Sequence, residues 1–226
     1  MLVLLPPSET KSDGGKDAPL DLAELSMPQL TETRELLVQT LVDLAADVEA
    51  SCEALGLGPT QADEVERNAK LWVSATRPAL QRYTGVLFDA LDAKSFTRAQ
   101  KAKALDRIAI GSALFGAVRA GDLIPAYRLS GGSKLPGMGT LRSLWKPELP
   151  KALAAEADGL VIDLREKPDG TRTIVSHFNK HHKGLLARAL VVSRAEPTDI
   201  KGVARVASKA GLRVEIASER ELIILT

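Results

Sequence analysis

Apolar positions along this chain fall into runs and stripes with the two periods of regular secondary structure. The opening MLVLL is a continuous apolar run stopped by Pro6-Pro7, which reads as a buried strand. Residues 8–17 are polar and contain Gly14-Gly15, the signature of a loop. Leu37, Leu41, Leu44 and Val48 then recur at spacings of three and four, predicting one long amphipathic helix over 31–55 that Gly56-Leu57-Gly58-Pro59 ends. Further helices are expected over 60–71 and 78–91. Another begins at Thr97, where Thr97 and Gln100 form a capping-box pair.

After Asp106 the texture changes. A strand candidate at 107–110 leads into the glycine-rich stretch GSALFGAVRAGDLIPAYRLSGGSKLPGMG, and 140–155 reads as helix interrupted at Pro147 and Pro150. Residues 160–164 and 173–178 alternate as strands, 184–193 and 198–209 carry helical spacing, and 212–217 and 221–225 close the chain as strands. No repeat, heptad or low-complexity tract interrupts this order. Helices outnumber strands, yet strands open and close the chain. The expected fold class is therefore α/β, mixed α+β, as a single compact domain over residues 1–226 with a mixed sheet flanked by helices.

Composition narrows the setting. A chain of 226 residues suits one large domain with a core that needs no staples. Its apolar runs fall far short of the roughly 20 residues that span a bilayer, so no membrane partner is expected. The N-terminus lacks the basic flank and small-residue site of a secretory signal, and the lone Cys52 cannot form an internal disulfide. A cytoplasmic location is the expectation. Net charge is only +1, but residues 1–100 carry nine Lys and Arg against sixteen Asp and Glu, and the excess reverses afterwards. Between Lys101 and Lys151 nine basic residues face three acidic ones, which points to an anionic partner or to solvated surface.

The candidate chemistry lies in that basic half. IAIGSALFG, residues 108–116, reads as a strand, a glycine turn and the start of a helix, where free backbone N–H groups suit phosphate oxygens. Its spacing matches no nucleotide fingerprint, and the glycines equally permit tight packing. Arg119, Arg128, Lys134, Arg142 and Lys146 offer phosphate contacts, and Tyr127 and Trp145 offer stacking faces. Phe115 reads as core, and Trp145 fits a core role equally well. Lys180-His181-His182-Lys183-Gly184 forms a second cationic stretch at an expected strand-to-helix junction. The three histidines, His177, His181 and His182, match no metal-ligand pattern, so neither metal nor cofactor is expected. There is no nucleophile elbow, and Cys52 falls on the long helix without basic neighbours. Asp122 is the one candidate catalytic carboxylate, with a salt bridge to Arg119 as its plainer role.

Together these blocks resemble a known family. MLVLLPPSETK, YTGVLFDAL, IGSALFGAVRAGDLIPAYRL, the Trp145 region and the lysine–glycine stretch before Leu185 follow the order found in the YaaA-like peroxide stress proteins. Ser112, Leu114, Phe115, Gly116, Arg119, Asp122-Leu123 and Tyr127-Arg128 fill the places of that family's central motif, with phenylalanine for tyrosine at Phe115. The resemblance implies a family-specific α/β fold with a positively charged cleft and a helix-hairpin-helix-like element, placed at 111–123. It also implies DNA binding and a role in limiting iron-driven oxidative damage during hydrogen peroxide stress. Three departures stand out. Glu9 occupies the place of the family's lysine, with Lys11 two residues later; His181 and His182 replace a lysine and a small residue; and Leu164 runs almost directly into Glu166-Lys167-Pro168-Asp169-Gly170, where the family places some further segment.

The expectation is a protein with no catalytic residue of its own that binds DNA, whether duplex, junction or single-stranded. The turn at Gly111, Ser112 and Gly116 would act with Arg119, Arg128, Lys134, Lys180 and Lys183 on phosphates, and Tyr127 or Trp145 on bases. The rivals are an enzyme acting on a nucleobase or nucleotide through Asp122, and a protein-interaction module with a basic face.

Overall fold

The computed structural model describes residues 1–165 and 176–225. The chain runs β1 (Leu2–Leu5), α1 (Thr31–Leu44), α2 (Val48–Leu55), α3 (Asp63–Ala69), β2 (Arg77–Pro78), α4 (Ala79–Arg82), α5 (Val86–Leu91) and α6 (Arg98–Arg107). It continues as β3 (Ile108–Ser112), β4 (Gly116–Arg119), β5 (Leu123–Ile124), α7 (Leu141–Trp145), α8 (Leu149–Glu156) and β6 (Val161–Asp163). The last elements are α9 (Ser176–Val192), α10 (Ile200–Lys209), β7 (Arg213–Ser218) and β8 (Glu221–Leu225). The fold class is thus mixed α/β, with a four-stranded sheet in the order β4-β3-β1-β6. The chain divides into two compact units, one made of Met1–Pro6, Thr84–Ala109 and Ala157–Thr226, the other of Pro7–Tyr83 and Ile110–Glu156.

In the first unit β1 pairs in parallel with β6, Leu2 opposite Val161 and Leu4 opposite Asp163. All four β1 side chains are buried, which is why an unbroken apolar run rather than an alternating one encodes this strand. Helix α9 packs closely on α5 at Gly184, where an added Cβ would lie 2.3 Å from the Leu87 carbonyl oxygen. One turn further along α9, Arg188 donates from Nη1 to the Leu91 and Asp92 carbonyls, both at 3.0 Å, and from Nη2 to Ser95 Oγ at 2.8 Å. It thereby satisfies the Leu91 carbonyl at the end of α5 and joins the Ser95 N–H on the Asp92 carbonyl. Lys103 and Arg107 on α6 both pair with Glu196. Asp199 caps α10 by accepting from the Gly202 N–H at 2.7 Å, and α10 packs on the antiparallel β7–β8 hairpin.

The second unit is organised by two fully buried arginines. Arg34, on α1, donates from Nε to the Phe115 carbonyl at 3.1 Å and from Nη2 to the Ala117 carbonyl at 2.8 Å. Arg82 donates to the carbonyls of Ile124, Ser12 and Ala75 at 3.1, 2.5 and 3.3 Å. Both guanidiniums therefore donate to backbone carbonyls in non-helical segments.

Four local expectations are corrected. The helix expected over 31–55 is two helices, because Asp47 is extended and its carboxylate accepts from the Ala50 N–H as the cap of α2, while Ser51 Oγ donates back to the Leu44 carbonyl. Val48, counted in the apolar stripe, is half exposed. The helix expected over 78–91 breaks at Gly85, whose φ of 100° is not helical. The segment 111–123, expected as a turn leading into helix, forms strands β3, β4 and β5. There Ser112 Oγ accepts from the Phe115 N–H at 2.9 Å and closes a tight turn, and β4 begins at Gly116 with φ 72°. Residues 176–178 are the first turn of α9 rather than the end of a strand. The rest of that expected strand, at 173–175, and the Glu166–Gly170 stretch lie outside the described residues.

Gly184→Ala reads the α5–α9 contact directly. In a helix interior this change ordinarily stabilises by about 1 kcal/mol. Here the new methyl meets backbone, and the expected net effect is a loss of roughly 1–3 kcal/mol in urea unfolding. A gain in stability would show that the two helices do not approach this closely.

Candidate functional site

The second unit holds a buried lysine that the basic half of the sequence does not advertise. Lys11 sits in the loop after β1, and three contacts fix its backbone. It bridges antiparallel to Tyr83, the Ser12 N–H donates to the Arg82 carbonyl at 2.8 Å, and Arg82 Nη1 holds the Ser12 carbonyl. The side chain retains 8% of its exposure. Its Nζ donates to the Ser8 and Glu9 carbonyls, both at 3.0 Å, and lies 4.0 Å from the Tyr127 ring centroid and 5.6 Å from that of Tyr83.

Beneath the amine runs a row of hydroxyls. Tyr127 Oη is 2.8 Å from Tyr83 Oη and 2.8 Å from Ser112 Oγ, and Ser112 Oγ also accepts from the Phe115 N–H. Phe115 packs edge-on against Tyr127 at 5.5 Å between centroids. Burial pushes the Tyr83 phenol up to about 12 and raises that of Tyr127 as well, so both rings stay neutral across the physiological range.

Arg128 is the neighbouring charge. Asn68, buried on α3, clamps its backbone from both sides, accepting from the Arg128 N–H and donating to the Arg128 carbonyl, each at 2.8 Å. Arg128 Nη2 lies 3.6 Å from Glu9 Oε2, and its Nε is buried with no hydrogen-bond partner among the described residues. Burial first, and then the Arg128 guanidinium, push the Lys11 ammonium from 10.5 down to about 7. Glu64 and Glu9 pull weakly the other way, and Arg67 adds to the lowering. Arg67 pairs with Asp13 at 2.6 Å and Glu64 at 2.5 Å, and lines a recess of about 220 Å³ with Asp13, Gly14, Gly15, Ser74, Ala75 and Ala126.

The residues singled out from sequence scatter in role. Gly111, Ser112 and Gly116 are buried in strands or at their ends, and an added Cβ at Gly116 would lie 2.8 Å from Trp145 Cε3. Trp145 is itself buried, with Nε1 donating to the Ala113 carbonyl at 2.9 Å, and Tyr127 is 1% exposed. Neither ring presents an open face. Asp122 accepts from the Ser26 N–H, from Ser26 Oγ at 2.8 Å and from the Arg119 N–H at 2.9 Å, so backbone and serine occupy its oxygens rather than an Arg119 ion pair. The Arg119 guanidinium lies 3.8 Å from Glu156. Lys134 is exposed, as are Arg142 and Lys146. Lys180, exposed, and Lys183, half-buried, lie within α9 of the other unit and not at a strand-to-helix junction. Sequence reasoning missed Lys11 as a site residue, along with Asn68 and Tyr83. The displaced lysine two positions after Glu9 was the available signal.

The pKa of Lys11 has a stability consequence. Between pH 7 and pH 10.5 the unfolded chain carries this proton and the folded chain does not, so stability rises with pH through that window and falls as pH drops towards 7. The slope from this one group is at most about 1.4 kcal/mol per pH unit. Urea unfolding of the wild type between pH 7 and pH 9.5 is expected to show this rise, and Lys11→Met to flatten it. Equal slopes in the two proteins would contradict the burial of a titrating amine.

Comparison with known proteins places these residues in a family. A family model described as peroxide stress protein YaaA matches residues 1–168. A UPF0246 protein of Corynebacterium efficiens is 46% identical over 98% of this chain and 97% of its own length. A UPF0246 protein of Streptomyces coelicolor is 41% identical over 95% of this chain and 92% of its own, and one from Shewanella loihica is 27% identical over 87% and 88%. Among the described residues no helix is long and apolar enough to cross a membrane. With a family match over most of its length and relatives of this identity along nearly all of it, the chain belongs to the family of peroxide stress protein YaaA.

Proposed function

We propose that this protein acts in the response to peroxide stress by binding DNA through its phosphates, and that this binding limits iron-driven damage to the bound strand. Family membership supports the peroxide stress role. The observation that carries the DNA reading is the Arg128 guanidinium. Its backbone is clamped by Asn68, its Nε is buried with no partner among the described residues, and the exposed Glu9 carboxylate lies 3.6 Å from Nη2. The Arg128 side chain keeps 17% of its exposure, and a phosphate oxygen is a fitting acceptor for the outer N–H groups of the guanidinium. Lys134, Arg142 and Lys146, exposed on the same unit, supply further phosphate contacts. Because Tyr127 and Trp145 are buried, the reading no longer uses base stacking, and recognition falls on the phosphate backbone without base information.

Four such contacts give a slope of log K against log[salt] of roughly −4 on duplex DNA, from about −0.9 per contact. Arg128→Ala is expected to weaken binding to all duplex sequences alike and to flatten the slope by about one. Salt titration of both proteins checks this. A flat salt dependence in the wild type would remove the phosphate-binding reading, and an unchanged slope in Arg128→Ala would remove Arg128 from it.

A further inference from the structure

We propose that Lys11 is an amine nucleophile for an aldehyde, and, resting on the DNA reading above, that the aldehyde is the ring-opened sugar of an abasic position in a DNA strand. A buried lysine held for structure is ordinarily paired with a carboxylate. Among the described residues no carboxylate lies within ion-pair distance of Lys11, and Glu9, two positions before it, is turned to Arg128 at 3.6 Å. The polar partners of its Nζ are two carbonyls, Ser8 and Glu9, each at 3.0 Å. A neutral amine has two N–H donors and one lone pair, so these two carbonyls take both donors and leave the lone pair uncommitted. The Tyr127 ring, its centroid 4.0 Å from Nζ, favours an ammonium less than a carboxylate would.

The surroundings hold the amine in place. Tyr127 is locked by Tyr83 and Ser112, and the Lys11 backbone is tied to Tyr83 and, through Ser12, to Arg82. Such an amine approaches an electrophile without first ordering a flexible side chain. The charged groups around it are Arg128 and Arg67, opposed by Glu9 and Glu64, and the two phenols stay neutral. Their balance, with burial, sets a pKa of about 7, so that near neutral pH a large share of Lys11 is the free base that attacks carbonyls. Arg128 supplies a contact for a phosphate that such a sugar carries beside its aldehyde.

The step balances without any further reactant. The Nζ lone pair adds to the C1′ carbonyl carbon, and a proton passes from nitrogen to the former carbonyl oxygen to give a carbinolamine. The carbon–oxygen bond then breaks as water leaves, and a carbon–nitrogen double bond forms. One water is released, and its return regenerates lysine and aldehyde. Loss of an oxidised base leaves this kind of aldehyde in DNA, which makes the chemistry consistent with a role under peroxide stress.

The test uses the full chain with a duplex carrying one abasic position, the same duplex intact, and pyridoxal 5′-phosphate as a small phosphate-bearing aldehyde without DNA. Cyanoborohydride or borohydride reduces any imine to a stable amine, and peptide mass mapping locates it. Expected is a covalent complex with the abasic duplex at least tenfold above the intact one, mapped to Lys11, with a yield that rises through pH 7. Labelling of Lys11 by pyridoxal 5′-phosphate ahead of exposed lysines such as Lys134 is expected as well. Lys11→Arg, checked for folding by circular dichroism, should lose both adducts. Binding of the intact duplex with Lys11 unlabelled by either aldehyde would overturn this proposal and leave the DNA reading standing. Labelling of Lys11 by pyridoxal 5′-phosphate with neither duplex bound would instead overturn the DNA reading and, with it, the assignment of the sugar. Mapping on the wild type keeps the outcome decisive even where Lys11→Arg fails to fold.

Discussion

The second unit depends on the buried guanidinium of Arg82. It collects three backbone carbonyls from distant parts of the chain, Ser12 in the loop after β1, Ala75 before β2 and Ile124 in β5. Burying an arginine without a carboxylate is tolerable only where such acceptors replace water, and removing it takes a donor from all three at once. Because Ser12 is one of the three, the position of Lys11 over the Tyr127 ring follows from it. Tyr127 is fixed in turn by Ser112, whose oxygen also closes the β3–β4 turn, so the site inherits its geometry from backbone-satisfying contacts rather than from ion pairs.

Within that frame two cations share one low-dielectric region, and the chemistry of each decides which keeps its charge. Guanidinium is delocalised and holds its proton under all ordinary conditions, whereas a lysine ammonium yields readily when buried. Beside the Arg128 guanidinium, Lys11 becomes an amine poised between its two forms. The pairing divides the labour expected of a site on damaged DNA, with one residue for the phosphate and one for the carbonyl.

The sequence revealed much of the frame and little of the site. The apolar run at β1, the Thr97 capping box, the prolines around α7 and α8 and the two closing strands follow from local rules that the structure obeys. The breaks at Asp47 and Gly85 were missed because a carboxylate cap and a positive φ override a stripe of leucines. The segment 111–123 misled for a related reason. Glycine beside a strand suggests a phosphate-binding turn, but here Gly116 makes room for Trp145. Arg128 was legible as a cation in a basic stretch. Lys11 was not, because its burial is produced by Arg82, Tyr83 and Tyr127, which lie more than 70 positions along the chain, and no local pattern carries that contact.

Lys11 titrates near neutrality because burial and Arg128 act on it together. Its side-chain pKa can be measured directly by carbon-13 NMR of the lysine ε-carbons in the folded protein, with Lys11→Arg identifying the signal. A midpoint near pH 7 is expected, moving upward when Arg128 is replaced by methionine. A midpoint close to the ordinary lysine value of 10.5, unchanged by that replacement, would contradict it.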